Sequence, residues 1–224
     1  MPLLAERLDG ARPVAANREY VSWSGELDGA RVTVTSTGIG CPSAAIAVEE
    51  LHACGADTFV RVGTAGGMQH DLQVGDLVIA EAAVRDEGTS PQYVPLAFPA
   101  VADPDVTRAF REGAAALGLR HRVGVVHSKD SFYGQREAER MPVADELAAR
   151  WQAWIRAGVL CSEMEAAAIY VVARVLRARA GAILLVAGNQ ELPGAQREEA
   201  RLETLVDAAV EGLRRLIRAD RAAN

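Results

Sequence analysis

Aromatic residues and cysteines are scarce in this sequence, and no hydrophobic run is long. Aromatics make up 5% of the 224 residues, whereas 50% of the residues are hydrophobic, so we expect a core made mainly of Ala, Val, Leu and Ile. No apolar run reaches the roughly 18 residues that a transmembrane helix needs. The charged residues Glu6 and Arg7 come directly after the first five residues, which argues against a signal peptide.

The cysteines and histidines show none of the usual metal-binding or disulfide patterns. Cys41, Cys54 and Cys161 form no CxxC pair and have no histidine pattern near them, and there is no HExxH segment. Isolated cysteines of this kind are typical of reduced packing residues in a cytoplasmic protein. We therefore expect a cytoplasmic location and no bound metal.

Several nucleotide-binding and hydrolase motifs are missing as well. The chain has no GxxxxGK[ST] loop, no GxGxxG and no GxSxG, which argues against P-loop nucleotide hydrolysis, dinucleotide binding and serine hydrolase chemistry. The net charge is −6 and no five like charges are consecutive, so nucleic acids and membrane surfaces are not expected partners. A small anionic substrate remains compatible with this charge because it responds to the local field.

Strand patterns alternate with helical patterns along the whole chain, with an Asp28-Gly29 hairpin turn between the first two strands. This order predicts an α/β fold in a single domain, with a mixed, mostly parallel central sheet flanked by helices. Residues 9–19, 87–102 and 128–136 are predicted to be irregular. The predicted strands are 20–27, 31–36, 57–63, 77–84, 122–127, 159–162 and 182–187, and the predicted helices are 3–8, 42–55, 106–113, 147–158, 166–176 and 196–218.

Four polar stretches lie where predicted strands end: 37–40, 61–67, 132–136 and 163–165. The carboxyl ends of parallel strands share one edge of a sheet, so we expect these stretches to converge there. Arg61 offers a fork of donors that suits a phosphate, although a surface arginine in a turn would look the same.

Two glutamates in the last of these stretches, Glu163 and Glu165, allow two interpretations. They suit paired sugar hydroxyls. They also fit two acidic residues that the helix dipole favours near a helix N-terminus.

Four motifs together resemble one known family. They read VTSTGIGCPSAAIAVEEL at 34–51, FVRVGTAG at 59–66, DSFYGQ at 130–135 and SEMEA at 162–166. In this order they resemble the uridine phosphorylase branch of the nucleoside phosphorylase superfamily. The resemblance implies phosphorolysis of uridine to uracil and ribose 1-phosphate, with inorganic phosphate as co-substrate and no further cofactor.

The resemblance also implies roles for the phosphate and ribose sites. Arg61 and Thr64 match phosphate-binding residues, and Arg18 matches an arginine that family members lend to a neighbouring subunit. Thr64, Glu163, Met164 and Glu165 match the ribose site. Arg61, Thr64 and Glu165 would then form the catalytic group.

The base site implied by the resemblance consists of Phe132, Gln135 and Arg136. Phe132 matches the stacking aromatic, Gln135 the residue that reads the uracil edge, and Arg136 its partner, with Arg140 as a substitute. Asn189 occupies the place of the aspartate found in purine-preferring relatives, and an amide cannot act as an acid, which favours uridine. The alternatives are a purine nucleoside phosphorylase, a nucleosidase that uses water, or a catalytically impaired nucleoside-binding relative.

The expected assembly is a homo-oligomer, either a dimer or a hexamer built from dimers. Family members begin with an additional strand and a phosphate loop before the first matching motif, and residues 1–224 are expected to form one domain without them. Away from the motifs, His127 is expected to be a packed histidine, and Lys129 and Asp130 a pair of loop residues.

Overall fold

The computed structural model describes residues 1–192 and 201–223. The helices are α1 (Pro2–Ala5), α2 (Cys41–Ala53), α3 (Pro104–Ala116), α4 (Phe132–Arg136), α5 (Ala144–Arg156), α6 (Ala166–Val175) and α7 (Leu202–Ala223). The strands are β1 (Asp9–Asn17), β2 (Tyr20–Leu27), β3 (Ala30–Thr35), β4 (Thr58–Gly67), β5 (Leu77–Asp86), β6 (Ala100–Val101), β7 (His121–Lys129), β8 (Cys161–Glu163) and β9 (Arg179–Asn189).

The larger sheet closes on itself. Its strand order is β6-β5-β7-β8-β4-β9, and β5 also pairs with β9, so five strands form a closed barrel to which β6 is added. The long β4–β9 and β5–β7 pairings are parallel, whereas β4–β8 and β5–β9 are antiparallel. The predicted α/β fold with a mixed sheet and flanking helices is confirmed, but the sequence did not predict the closure.

Register shifts in two strand pairs accompany the closure. In the β4–β9 pair the extra residue is Ala187 of β9, opposite Ala65 and Gly66, and in the β5–β7 pair it is Glu81 of β5. An extra residue on one strand bends it and increases its twist, which lets a short sheet curve round to meet its own edge. Apolar alternation along each strand does not show which edges meet.

The helices cover the barrel from two sides. Residues 166–173 of α6 are all buried, and α6 packs with α2 on one hydrophobic cluster. Helices α3 and α7 pack on a second cluster, in which Val106 and Phe110 are almost fully buried. The α3 spacing predicted from the sequence is therefore confirmed. Among the described residues, no helix is long and apolar enough to cross a membrane.

The smaller sheet contains an element that the sequence analysis missed. Strands β1, β2 and β3 are antiparallel neighbours, and the Asp28-Gly29 turn is confirmed, with positive φ at both residues. Strand β1 was predicted to be irregular because it is mostly exposed and contains Pro13. It is interrupted by register shifts, one of them next to Pro13, which is where a sheet tolerates proline.

One predicted loop differs from the structure, and one predicted helix start cannot be compared with it. Residues 128–136 were predicted as loop, but β7 continues to Lys129 and α4 follows, with the Ser131 hydroxyl accepting the Gly134 N–H at 2.9 Å. Such a serine cap stabilises even a single helical turn. The predicted start of the last helix, at 196, lies outside the described residues.

Close packing of α3 on α7 leads to a stability prediction. A Cβ on Gly113 would lie 2.8 Å from the backbone nitrogen of Gly212. Alanine is favoured over glycine in a helix by about 1 kcal/mol, yet overpacking costs about 1–3 kcal/mol. We expect Gly113→Ala to lower the free energy of unfolding in urea, whereas Glu112→Ala, exposed on the same helix, should not. A Gly113→Ala protein more stable than its parent would contradict this packing.

Candidate active site

A buried ion-pair group joins the end of the barrel to the start of two helices. The Nε of Arg61 on β4 donates to Oε2 of Glu163 at 2.7 Å, and Nη2 lies 2.7 Å from Oε2 of Glu165. Glu163 ends β8 and Glu165 lies at the N-terminus of α6. The expected convergence of the 61–67 and 163–165 stretches is thus seen in the structure.

Gly63 makes room for the Arg61 side chain. A Cβ at this position would lie 2.6 Å from Nη1 of Arg61, so a larger residue would displace the guanidinium. Burial alone would lower the pKa of Arg61, but its attraction to Glu163 and Glu165 raises the pKa overall. The side chain is 13% exposed, and these pairs use two of its five N–H donors. Arg61 is therefore a fixed cation with donors left for a ligand.

Glu163 is enclosed by donors from its own protein. Its Oε2 also accepts the N–H groups of Glu165 and Ala166 at 2.8 and 2.9 Å, and its Oε1 accepts the Ser128 hydroxyl. The side chain is 0% exposed. Glu163 therefore caps α6 and pairs with Arg61 at the same time. Of the two interpretations given above for the glutamates, the role at a helix N-terminus fits this residue.

Glu165 is placed differently from Glu163. Its Oε1 accepts the Gly40 N–H at 2.6 Å, at the start of α2, while its other oxygen contacts Arg61. The preceding Met164 is half-buried, and its carbonyl accepts a 3.1 Å hydrogen bond from the Cys41 thiol. The stretch 37–40 therefore joins the site through a backbone donor.

Gln135 is held from both sides beside this group. Its Oε1 accepts the Ser162 hydroxyl at 2.9 Å, and its Nε2 donates to Oε1 of Gln190 at 2.9 Å. A Cβ on Gly66 of β4 would lie 3.7 Å from Gln135 Nε2. Gln135 is thus brought next to β4 and β8, as the sequence analysis expected.

Lys129 is a buried cation near Gln135, not the loop residue that was predicted. Its Nζ donates to the Ser162 hydroxyl at 2.7 Å, and the residue is 9% exposed. Desolvation by burial lowers its pKa from 10.5 to about 8, although Glu163 and Glu165 favour the charged form. It is the only lysine in the chain, a signal that the sequence analysis could have used.

The aromatic residues of α4 lie at the surface of the same region. Phe132 is 44% exposed, and the guanidinium carbon of Arg136 lies 5.2 Å from its ring centre. Arg140 makes a similar contact, at 5.6 Å, with Tyr133. Arg136 therefore stacks on the predicted base platform, and no described hydrogen bond joins it to Gln135.

Thr64 and Arg18 are not tied to the ion-pair group in this chain. Thr64 is exposed in the second half of β4, and within the part of the chain that the structure describes it makes no hydrogen bond to Arg61. Arg18 is exposed in the turn between β1 and β2, with a φ of 54°. Neighbouring Glu19 accepts the Ser43 hydroxyl at 2.7 Å, so this turn is anchored to the start of α2.

Asn189 has a structural role that its sequence position did not reveal. Its amide nitrogen donates to the carbonyls of Gln69 and Leu72, at 2.8 and 2.7 Å, and its oxygen accepts the Glu191 N–H at 2.9 Å. The side chain fastens the turn after β4. The next residue, Gln190, is the one that reaches Gln135, and the sequence analysis missed it together with Ser162.

Known proteins resemble the whole chain. The sequence model of the phosphorylase superfamily matches residues 1–219. A uridine phosphorylase of Treponema pallidum is 48% identical over 220 residues, covering 97% of this chain and 85% of the relative. A uridine phosphorylase of Thermococcus kodakarensis is 46% identical over 192 residues, covering 85% and 69%. A guanosine phosphorylase of Halorubrum lacusprofundi is 40% identical over 215 residues, covering 96% and 84%.

Because Lys129 is the only lysine, its pKa can be measured directly. In protein labelled with ¹³C only in lysine, one side-chain signal should titrate, with a midpoint near pH 8, because burial lowers the Lys129 pKa to about 8. The same signal in urea-unfolded chain should titrate near the ordinary value of about 10.4. A folded-state midpoint above 10 would show that Lys129 is solvated instead of buried.

Proposed function

Because the chain belongs to the phosphorylase superfamily, we propose that it catalyses the phosphorolysis of uridine, releasing uracil and forming ribose 1-phosphate. The observation that carries the proposal is that Glu163 and Glu165 both form ion pairs with Arg61, beside Gln135. An anion-binding cation, a carboxylate for sugar hydroxyls and an amide for a base edge lie at one end of the barrel. No cofactor other than inorganic phosphate is needed, and a cytoplasmic location fits the three free thiols.

In this proposal, the donors of Arg61 that face away from the glutamates bind phosphate, with Thr64 contributing a hydroxyl. The ion-pair group of Arg61, Glu163 and Glu165 carries one net negative charge, which disfavours a phosphate dianion. A further cation at the phosphate would offset this charge. Arg18, exposed at a strand turn, is free to serve the site of a neighbouring subunit in a homo-oligomer.

The ribose contacts belong to Glu165, with Met164 beside it and Thr64 opposite. Glu165 retains acceptor capacity after its bonds to Gly40 and Arg61, so it can hold ribose hydroxyls. Glu163 was grouped with the ribose site on resemblance, but its enclosure suits a different task. We assign it to positioning Arg61 and the start of α6.

Cleavage of the glycosidic bond produces positive charge on the ribose and negative charge on the departing base. Glu165 lies where it can stabilise the sugar, and phosphate attacks C1′ from the Arg61 side. Lys129 and Gln135 lie on the base side, where a buried ammonium counters the charge of the leaving uracil anion. Groups fixed before the reaction act without reorganisation. Phe132, with Arg136 over it, supplies an exposed ring for base stacking.

Uridine is favoured over purine nucleosides by this arrangement. Both N–H groups of the Asn189 amide bond to carbonyls of a turn, and an amide is not an acid, so Asn189 offers no proton for purine N7. The similarity to a guanosine phosphorylase keeps guanosine as the second candidate substrate, and a nucleoside panel decides between them.

A phosphate-dependence assay tests the proposed reaction. Uridine, cytidine, inosine and guanosine are incubated with and without phosphate, and base release is measured. We expect rapid uracil release from uridine only with phosphate. Base release that is undiminished without phosphate would identify a nucleosidase, and a preference for guanosine would replace the substrate.

Arg61→Lys tests the phosphate site without leaving two buried carboxylates unpaired, as Arg61→Ala would. We expect it to reduce kcat/KM for phosphate by about 10²–10³, as when a transition-state donor is lost, because an ammonium lacks the fork. Arg179→Lys, which alters an ion pair with Asp220 elsewhere, is the matched control. Equal activity of both variants would exclude the assigned role.

Complementation between subunits tests the role of Arg18. Arg18→Ala and Arg61→Lys proteins should each be nearly inactive. After unfolding and refolding together, activity should return to at most about a quarter of the parental value, since half of the dimers are mixed and one of their two sites is intact. An inactive mixture would show that Arg18 does not serve a neighbour's site.

A further inference from the structure

We propose that His127, acting through Ser162, fixes the amide of Gln135 in the orientation that accepts uracil and rejects cytosine. This inference rests on the proposed function, because it assigns the base side of that site to Gln135. His127 is a positioning residue here. Its hydrogen bonds go to Ser162 and Asp86, and not to the residues assigned to phosphate or ribose.

The Ser162 hydroxyl is the meeting point of three side chains. Lys129 Nζ lies at 2.7 Å, Gln135 Oε1 at 2.9 Å and His127 Nδ1 at 3.2 Å from Oγ. The hydroxyl has one hydrogen to donate and two lone pairs to accept with. Ser162 and His127 are 3% and 5% exposed, so water does not compete freely for these positions.

Counting donors shows that His127 decides the direction of the Gln135 amide. Lys129 can only donate, so it occupies one lone pair of the hydroxyl. If Nδ1 of His127 carries a proton, that proton occupies the second lone pair, and the serine hydrogen must point at Gln135. Gln135 then has to present its oxygen. If Nδ1 is bare, it competes for the serine hydrogen, and either end of the amide fits.

Asp86 keeps the other end of the imidazole protonated. Its Oδ2 lies 2.9 Å from His127 Nε2. The hydrogen bond with His127 lowers the pKa of Asp86, with Arg150 contributing in the same direction, so Asp86 is a charged acceptor. The Nε2–H therefore donates to it, and a proton on Nδ1 makes the ring an imidazolium.

The charged groups around His127 come from each element that packs against it. Asp86 approaches from β5 and carries an ion pair with Arg150 of α5. Lys129 of β7 shares Ser162 with the ring. The rings of Trp151 and Trp154 on α5 lie 6.4 and 6.1 Å from the imidazole centre.

The amide direction matters because uracil and cytosine present opposite patterns. Uracil offers N3–H as a donor next to the O4 acceptor, whereas cytosine offers N3 as an acceptor next to an amino donor. After its bonds to Ser162 and Gln190, the fixed Gln135 has one oxygen lone pair and one N–H left. The oxygen lone pair and the N–H match the N3–H and O4 of uracil. Against cytosine, the same two groups would face an acceptor with an acceptor and a donor with a donor.

The test compares uracil and cytosine binding by calorimetry with phosphate present, and uridine and cytidine turnover. Variants are His127→Phe, which keeps a packed ring, and Ser162→Ala. We expect the uracil-to-cytosine affinity ratio to fall about tenfold in both, as for one lost hydrogen bond, with uridine KM affected more than kcat. His121→Phe, the same change at the other end of β7, should keep the parental ratio.

The possible failures are distinguishable. Uracil binding without any uridine turnover in the parent would reject the proposed function, while the affinity ratios would still judge the role of His127. Parental ratios in both His127→Phe and Ser162→Ala, in folded proteins, would overturn the inference. So would equal losses of uracil and cytosine affinity, because a purely structural role predicts them.

Discussion

One arginine shared between two buried glutamates holds the candidate site together. Arg61, inside strand β4, connects this strand to the start of α6 through Glu163 and, through Glu165, to the Gly40 N–H before α2. Removing Arg61 would leave two buried carboxylates without their cation, which costs several kcal/mol. The group therefore serves stability and chemistry at once, and its outward donors are set in place by the fold before a ligand arrives.

The two glutamates show how neighbours in sequence acquire different tasks. At a junction between a strand and a helix, side chains two apart no longer share a face. Glu163 is fully buried and accepts hydrogen bonds from four donors, whereas Glu165 accepts the Gly40 N–H, pairs with Arg61 and keeps further acceptor capacity. Because these three charged groups leave a negative balance, the proposed reaction assigns a further cation, Arg18 of a neighbouring subunit, to the phosphate.

Sequence patterns predicted the local part of this structure. Strand and helix periods, glycines at turns and polar residues at strand ends placed Arg61, Glu165 and Gln135 near one another. What they did not predict depends on contacts distant in sequence: the β5–β9 pairing that closes the barrel, the exposed strand β1, and the roles of Lys129, Ser162 and Gln190. Lys129 looked like a loop residue because its burial arises only when β7 and β8 pair.

The solitary lysine has a chemical consequence for the whole molecule. Every other basic side chain is a guanidinium or an imidazole, so acylating reagents that seek primary amines find just the chain terminus and one enclosed ammonium. That ammonium loses its proton near pH 8 and becomes nucleophilic under mild conditions. Covalent tagging at this ammonium would report occupancy of the candidate site, with the chain terminus as the second modified position.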